Sequence, residues 1–127
     1  MTQEEKQLLL KDLCARLPYG VVASVQLDIR YVSQKFTEFQ DLQLKGILNK
    51  KLVFGNQSYQ IERAIPYLRS ISTMTDKERK EYNAIIFSSF YKAEDEINFY
   101  NKYHFDYRGF IEKGLALEAK EGMYKTE

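Results

Sequence analysis

The sequence predicts an α+β protein: an antiparallel meander of four to five short strands, curling towards a small SH3-like barrel and packed with an N-terminal helix and two to three C-terminal helices. Three observations carry this expectation. Two capping boxes, Thr2-Gln3-Glu4-Glu5 and Thr75-Asp76-Lys77-Glu78, each open a stretch with apolar residues at helical spacing. Between them, from Val21, the apolar period switches to two. The runs in that middle region are short and separated by turn residues, which makes neighbouring strands antiparallel.

In the first helix, Leu10, Leu13, Cys14 and Leu17 follow the i, i+3, i+4, i+7 pattern, with Leu9 widening the stripe. Pro18-Tyr19-Gly20 ends it, because proline disfavours helix at the residue before it. Cys14 on this stripe reads as a small core residue. Val21, Ala23, Val25 and Leu27 then form the inward side of a strand. A second β-prone run spans Ile29 to Phe39, its alternation interrupted around Ser33-Gln34-Lys35, and a third spans Leu42 to Leu48. Asn49-Lys50-Lys51 turns into Leu52-Val53-Phe54, and Gly55-Asn56 into a last strand, Ser58 to Glu62. Pro66, with no amide to donate, marks an edge or a crossover.

The second capping box opens a helix through Tyr82, Ile85 and Ile86, with Ser88-Ser89 as its break. The next helix starts at Glu94-Asp95-Glu96, where carboxylates suit the positive end of the helix dipole. Asp106 reads as the N-cap of a last short helix that Gly114 stops in a left-handed conformation. Tyr107, Phe110 and Ile111 would share its apolar face. The charged stretch 118–127 reads as a frayed tail.

A chain of 127 residues is one domain on the size prior, here residues 1–127. Its 19 basic and 18 acidic residues leave a net charge of +1, too little for a long-range field that attracts polyanions. One cysteine rules out an internal disulfide and points to a reducing, cytoplasmic setting. No apolar run is long enough to span a bilayer as a helix, and the first ten residues lack the pattern of a secretory leader.

Chemistry finds little to hold on to. His104 is the only histidine, so no second histidine or cysteine pair exists to complete a zinc site. With Asp106 used for capping, His104 reads as a residue closing a helix C-terminus beside aromatics rather than as a general base. Glu94, Asp95 and Glu96 point in different directions around a helix and cannot converge on one cation. No glycine-rich phosphate loop and no nucleophile elbow is present. These readings expect no enzyme activity, no cofactor and no metal.

Three stretches carry a resemblance. They are Leu8 to Val21; Pro66-Tyr67-Leu68-Arg69 with Ser72 and Met74-Thr75; and His104-Phe105-Asp106-Tyr107-Arg108-Gly109, continuing through Ile111 to Ala119 and Glu121 to Tyr124. In these the chain resembles a family of small uncharacterised proteins from gut anaerobic bacteria, their phages and mobile elements. Val22 to Ile61 matches only loosely. The resemblance implies a cytoplasmic accessory protein of a phage or mobile element and supplies no catalytic residues.

The expected function is therefore that of a non-enzymatic binding protein, engaging another protein or a second copy of itself. Tyrosine and arginine anchor interfaces most often. Tyr67, Arg69, Tyr103, Tyr107 and Arg108 are the candidates, because they flank element ends where side chains can stay exposed. The alternative is single-stranded nucleic acid or a nucleotide on the sheet. There Lys45, Lys50 and Lys51 would meet phosphates, and Tyr31, Phe36, Phe39 and Phe54 would stack on bases. Asp28, Glu38 and Asp41 lie among these residues and counter Arg30, Lys35 and the three lysines.

Overall fold

A computed structural model describes the backbone of residues 1–31 and 34–124, and the side chains of those residues outside 28–37. The class is α+β, and among the described residues seven strands form two sheets that do not close into a barrel. The chain, read as one domain from its length, divides into two compact units, residues 1–67 and 68–127.

The first unit begins with helix α1 (Gln3–Arg16), opened by the expected box: Thr2 Oγ1 accepts from the Glu5 amide at 3.1 Å, and the Glu5 carboxylate accepts from the Thr2 amide at 2.8 Å. Its buried residues are Leu9, Asp12, Leu13 and Arg16, whereas Leu10 is half-buried and Cys14 is exposed. The stripe is thus rotated from the one expected, and Cys14 is not a core residue. The cause is an ion pair inside the protein: Arg16 Nε lies 2.8 Å from Asp12 Oδ2, and both side chains are fully buried. Polarity alone assigns such residues to solvent.

Strands β1 (Val22–Tyr31) and β2 (Gln34–Gln43) form one long antiparallel hairpin, in register from Val22 opposite Gln43 to Tyr31 opposite Gln34. Val21, Ala23 and Val25 are buried, so the period of two is borne out there. The second run, expected from Ile29 to Phe39, is divided between β1, which ends at Tyr31, and β2, which begins at Gln34. Val32 and Ser33 themselves lie outside the described residues. Strands of ten residues replace the short ones expected.

A second sheet is built of β3 (Gly46–Leu48), β4 (Lys51–Phe54) and β5 (Gln57–Tyr59), all antiparallel. Asn49 and Lys50, at φ 52° and 63°, form the two-residue loop between β3 and β4. Positive φ at both positions is the type I′ geometry that suits strand twist, here without the usual glycine. Strand β6 (Ala64–Leu68) pairs with β1, Pro66 lying opposite Ala23. The Tyr67 hydroxyl donates to Asp41 Oδ1 at 2.7 Å.

The second unit starts where β6 ends. The Leu68 carbonyl accepts from the Ala119 amide at 2.8 Å, beside the short strand β7 (Leu117–Glu118). Arg69 pairs in parallel with Phe105: its amide donates to the His104 carbonyl at 2.7 Å, and its carbonyl accepts from the Asp106 amide at 2.8 Å. Helices α2 (Asp76–Ile86) and α3 (Ala93–Lys102) form a hairpin. Phe99, Phe105 and Phe110 are buried in this unit.

Helix α3 ends in a left-handed residue that is not glycine. His104 has φ 59°; its amide donates to the Asn101 carbonyl, and the Phe105 amide to that of Tyr100. These are the two bonds of a Schellman motif with histidine at C′. The imidazole is buried and stacks on Tyr124 at 4.1 Å. His104 therefore closes a helix C-terminus beside an aromatic ring, as expected.

The last expected helix is only a succession of turns. Asp106 still satisfies orphan amides, its two carboxylate oxygens accepting from Phe110 at 2.8 Å and Ile111 at 3.0 Å. Gly109, at φ 75°, bends the chain before those amides, so the turn starts three residues later than its capping carboxylate. Gly114, at φ 76°, ends it as expected. The tail expected to fray from Glu118 is tied down through Tyr124 by the Ala119 hydrogen bond and the His104 stack.

Candidate functional site

The two helices of the second unit are joined by aromatic packing along their middle. Tyr82 of α2 meets Phe99 of α3 at 5.4 Å between ring centroids and Tyr100 at 5.9 Å. The Tyr100 hydroxyl contacts that of Tyr82 at 3.2 Å and donates to Glu96 Oε2 at 2.9 Å. Burial, then the hydrogen bonds to Tyr82 and Glu96, push the Tyr100 pKa far above its ordinary value. The Tyr100 hydroxyl therefore stays protonated and ties α3 to α2 through Tyr82.

The connection between the helices behaves differently. Ser88 organises a tight turn: its Oγ accepts from the Phe90 amide at 3.0 Å and its carbonyl from the Tyr91 amide at 3.2 Å. The Tyr91 hydroxyl donates to Glu96 Oε1 at 2.8 Å, and this bond is the main reason its pKa is raised. One carboxylate thus anchors a tyrosine from the turn and another from α3. On this fixed frame Phe87 is 80% exposed and Phe90 86% exposed. Tyr91 and Ile97 add further exposed apolar surface.

Sequence position alone explains the turn but not the exposure. Fully burying a phenylalanine is worth roughly 1.5–3 kcal/mol. Two rings left in water on a hydrogen-bonded turn forgo that gain. The flanking charged residues Lys92, Glu94 and Asp95 are exposed. The corner is an exposed apolar knob on a hydrogen-bonded turn, flanked by two carboxylates and one lysine.

The residues singled out from the sequence lie elsewhere. Tyr67 and Arg69, expected at exposed element ends, are buried, so neither presents an accessible anchor. Arg69 instead makes a two-pronged pair with Glu78, Nη1 to Oε2 at 2.7 Å and Nη2 to Oε1 at 2.9 Å. Its guanidinium also reaches the carbonyls of Thr73 and Tyr103 and sits 4.4 Å from the centroid of Phe105. Tyr103 packs edge-on against Phe99 and donates to Glu81 Oε1 at 3.0 Å. Tyr107 stacks on Tyr100 at 5.2 Å, with Arg108 over its ring at 4.9 Å. The structure therefore gathers Tyr103, Tyr107 and Arg108, all half-buried, around the aromatic seam, and Tyr103 lies at the end of α3 opposite the knob.

Lys45, Lys50 and Lys51 are exposed in the first unit, around the β3–β4 loop. The rings expected beside them do not form a platform. Phe54 is buried against Tyr59, while Phe39 is exposed. The side chains of Arg30, Tyr31, Lys35 and Phe36 lie outside the described residues. Among the described residues no cluster of three histidine, cysteine, aspartate or glutamate side chains could hold a metal ion. Glu96, from the acidic run considered for a cation, is spent on its two tyrosines. No helix among the described residues is long and apolar enough to cross a membrane.

Sequence reasoning missed Phe87 and Phe90. The available signal was their position on either side of Ser88-Ser89, outside the apolar stripe of both helices. Comparison with family models, curated proteins and solved structures finds no match for this chain.

Proposed function

We propose that this chain is a non-enzymatic binding protein that engages another protein through the α2–α3 corner. The observation that carries the reading is the exposure of Phe87 and Phe90 on a turn held by Ser88 and Glu96. Large apolar rings on a rigid support are what interface hot spots use, because little conformational entropy is lost on docking. The acidic side of the knob disfavours the anionic headgroups of a membrane surface and favours a protein pocket with a basic rim. The family resemblance supports reading the chain as an accessory protein of a phage or mobile element that works in the cytoplasm.

Retention of partners from a host lysate, with wild type and a Phe87→Ser/Phe90→Ser variant side by side, tests the reading. A partner held by wild type and lost with the double variant, at an unchanged urea midpoint, is expected. Equal retention by both proteins, or a strictly monomeric wild type that retains nothing, would falsify it.

A further inference from the structure

The first unit contains a cleft whose size and charge complement the knob. It measures about 220 Å³ and lies between α1, the β3–β4 loop and the 3-10 turn at Ile61–Arg63. Leu10 and Ile61 supply its apolar lining, and Gln7 stands exposed at its rim. Leu10 is the residue that the Asp12–Arg16 pair displaces from the buried stripe, so an apolar side chain is left half open to solvent. Around the rim, Lys6 lies 3.5 Å from Glu62, and Lys50 adds a second positive charge. The knob has the opposite balance, Glu94 and Asp95 against Lys92. Phe90 is too exposed to occupy any cleft of its own chain.

We propose that the occupant of this cleft is Phe90 of a second copy, so that the chain associates with itself knob to cleft. The inference rests on the reading of the α2–α3 corner as a docking knob and names its receptor. The cleft has room for one aromatic ring, and the charge flanking each half attracts the other. Knob and cleft are different surfaces and every copy carries one of each, so two copies can exchange them reciprocally or further copies can add one at a time. The result is concentration-dependent self-association, as a reciprocal pair, a ring or a ladder.

The test is sedimentation of wild type and two variants across a wide concentration range, at low and high salt. Phe90→Asp removes the knob, and Gln7→Trp/Lys50→Asp fills the cleft and reverses its rim. All three substituted positions are exposed, so urea melts should show both variants folded. Wild type should associate as concentration rises, less so at high salt, and each variant should associate at least ~30-fold more weakly, as expected for loss of a hot spot. Mixing the two variants is the decisive arm. Each keeps the half the other lacks, so the mixture should form a heterodimer that stops at two. A wild type monomeric throughout, or a mixture that does not pair, overturns the proposal. If Phe90→Asp abolishes association while the cleft variant does not, the knob reading stands and the receptor is another surface. If neither variant changes association, both readings fall.

Discussion

The two capping boxes are the same device in different surroundings. At Thr2 and at Thr75 the reciprocal bonds have identical lengths, 2.8 and 3.1 Å. Glu5 completes its box near solvent. Glu78 is 1% exposed and uses the same carboxylate to hold Arg69, whose backbone bridges to Phe105 and whose guanidinium lies over that ring. One is a helix start, and the other is a helix start fused to the polar centre of a unit. Local grammar finds both boxes with equal ease, but burial decides what each is worth.

The largest expected effect separates them most sharply. Glutamine keeps the capping role but removes the charge. Glu78→Gln should therefore destabilise by about 3–5 kcal/mol, leaving the Arg69 guanidinium buried without its counter-charge. Glu5→Gln should stay within about 0.5 kcal/mol, as surface changes usually do. Urea melts of the two variants read the difference, and equal midpoints would erase the distinction.

Acid should close the gap. Burial alone would raise the Glu78 pKa, but the Arg69 hydrogen bond, the Thr75 amide and the Arg69 charge outweigh it and hold the carboxyl below its ordinary value. A folded-state pKa below the unfolded one gives stability that is fully present above the unfolded value, near about 4.3. That stability is lost as pH falls through the folded one. The difference between wild type and Glu78→Gln should thus be greatest near neutrality and shrink below about pH 4. A gap that widened in acid would mean that the Arg69 contacts do not set this carboxyl.

Removing the other half of each box tests a smaller difference. Thr75→Ala should cost about 1–2 kcal/mol, because it loosens a carboxylate that Arg69 also needs, and Thr2→Ala about 0.5 kcal/mol. The smallest effect belongs to the knob. Phe87→Ser/Phe90→Ser should shift stability by less than about 0.5 kcal/mol, since rings already in water lose little on removal. A large loss would show that the corner supports the fold instead of serving as a binding surface.

How much of this was legible depended on the range of the interaction. Both boxes, the period of two at Val21, Ala23 and Val25, the left-handed Gly114 and the closing role of His104 are written in neighbouring residues and could be read. The Asp12–Arg16 pair could not, because its members are a helical turn apart and look like surface residues until both are buried. The same reasoning misplaced Cys14, Tyr67 and Arg69. The division of the Ile29–Phe39 run between β1 and β2 was missed because an interrupted alternation does not say whether one strand continues or two strands pair. Phe87 and Phe90 were hidden by their hydrophobicity, which any core rule sends inward.

Strand β6 has a consequence for synthesis. Ala64, Ile65 and Pro66 find their β1 partners already made when they emerge from the ribosome, because Ala23 to Val25 precede them. Leu68, in the same strand, must wait for the Ala119 amide. At translation rates of about 5–20 residues per second the interval is roughly 3–10 s. During that time the strand is complete towards its past and open towards its future. A nascent chain therefore spends seconds with Arg69 awaiting first Glu78 and then Phe105, and a chaperone or premature partner would meet it in that interval.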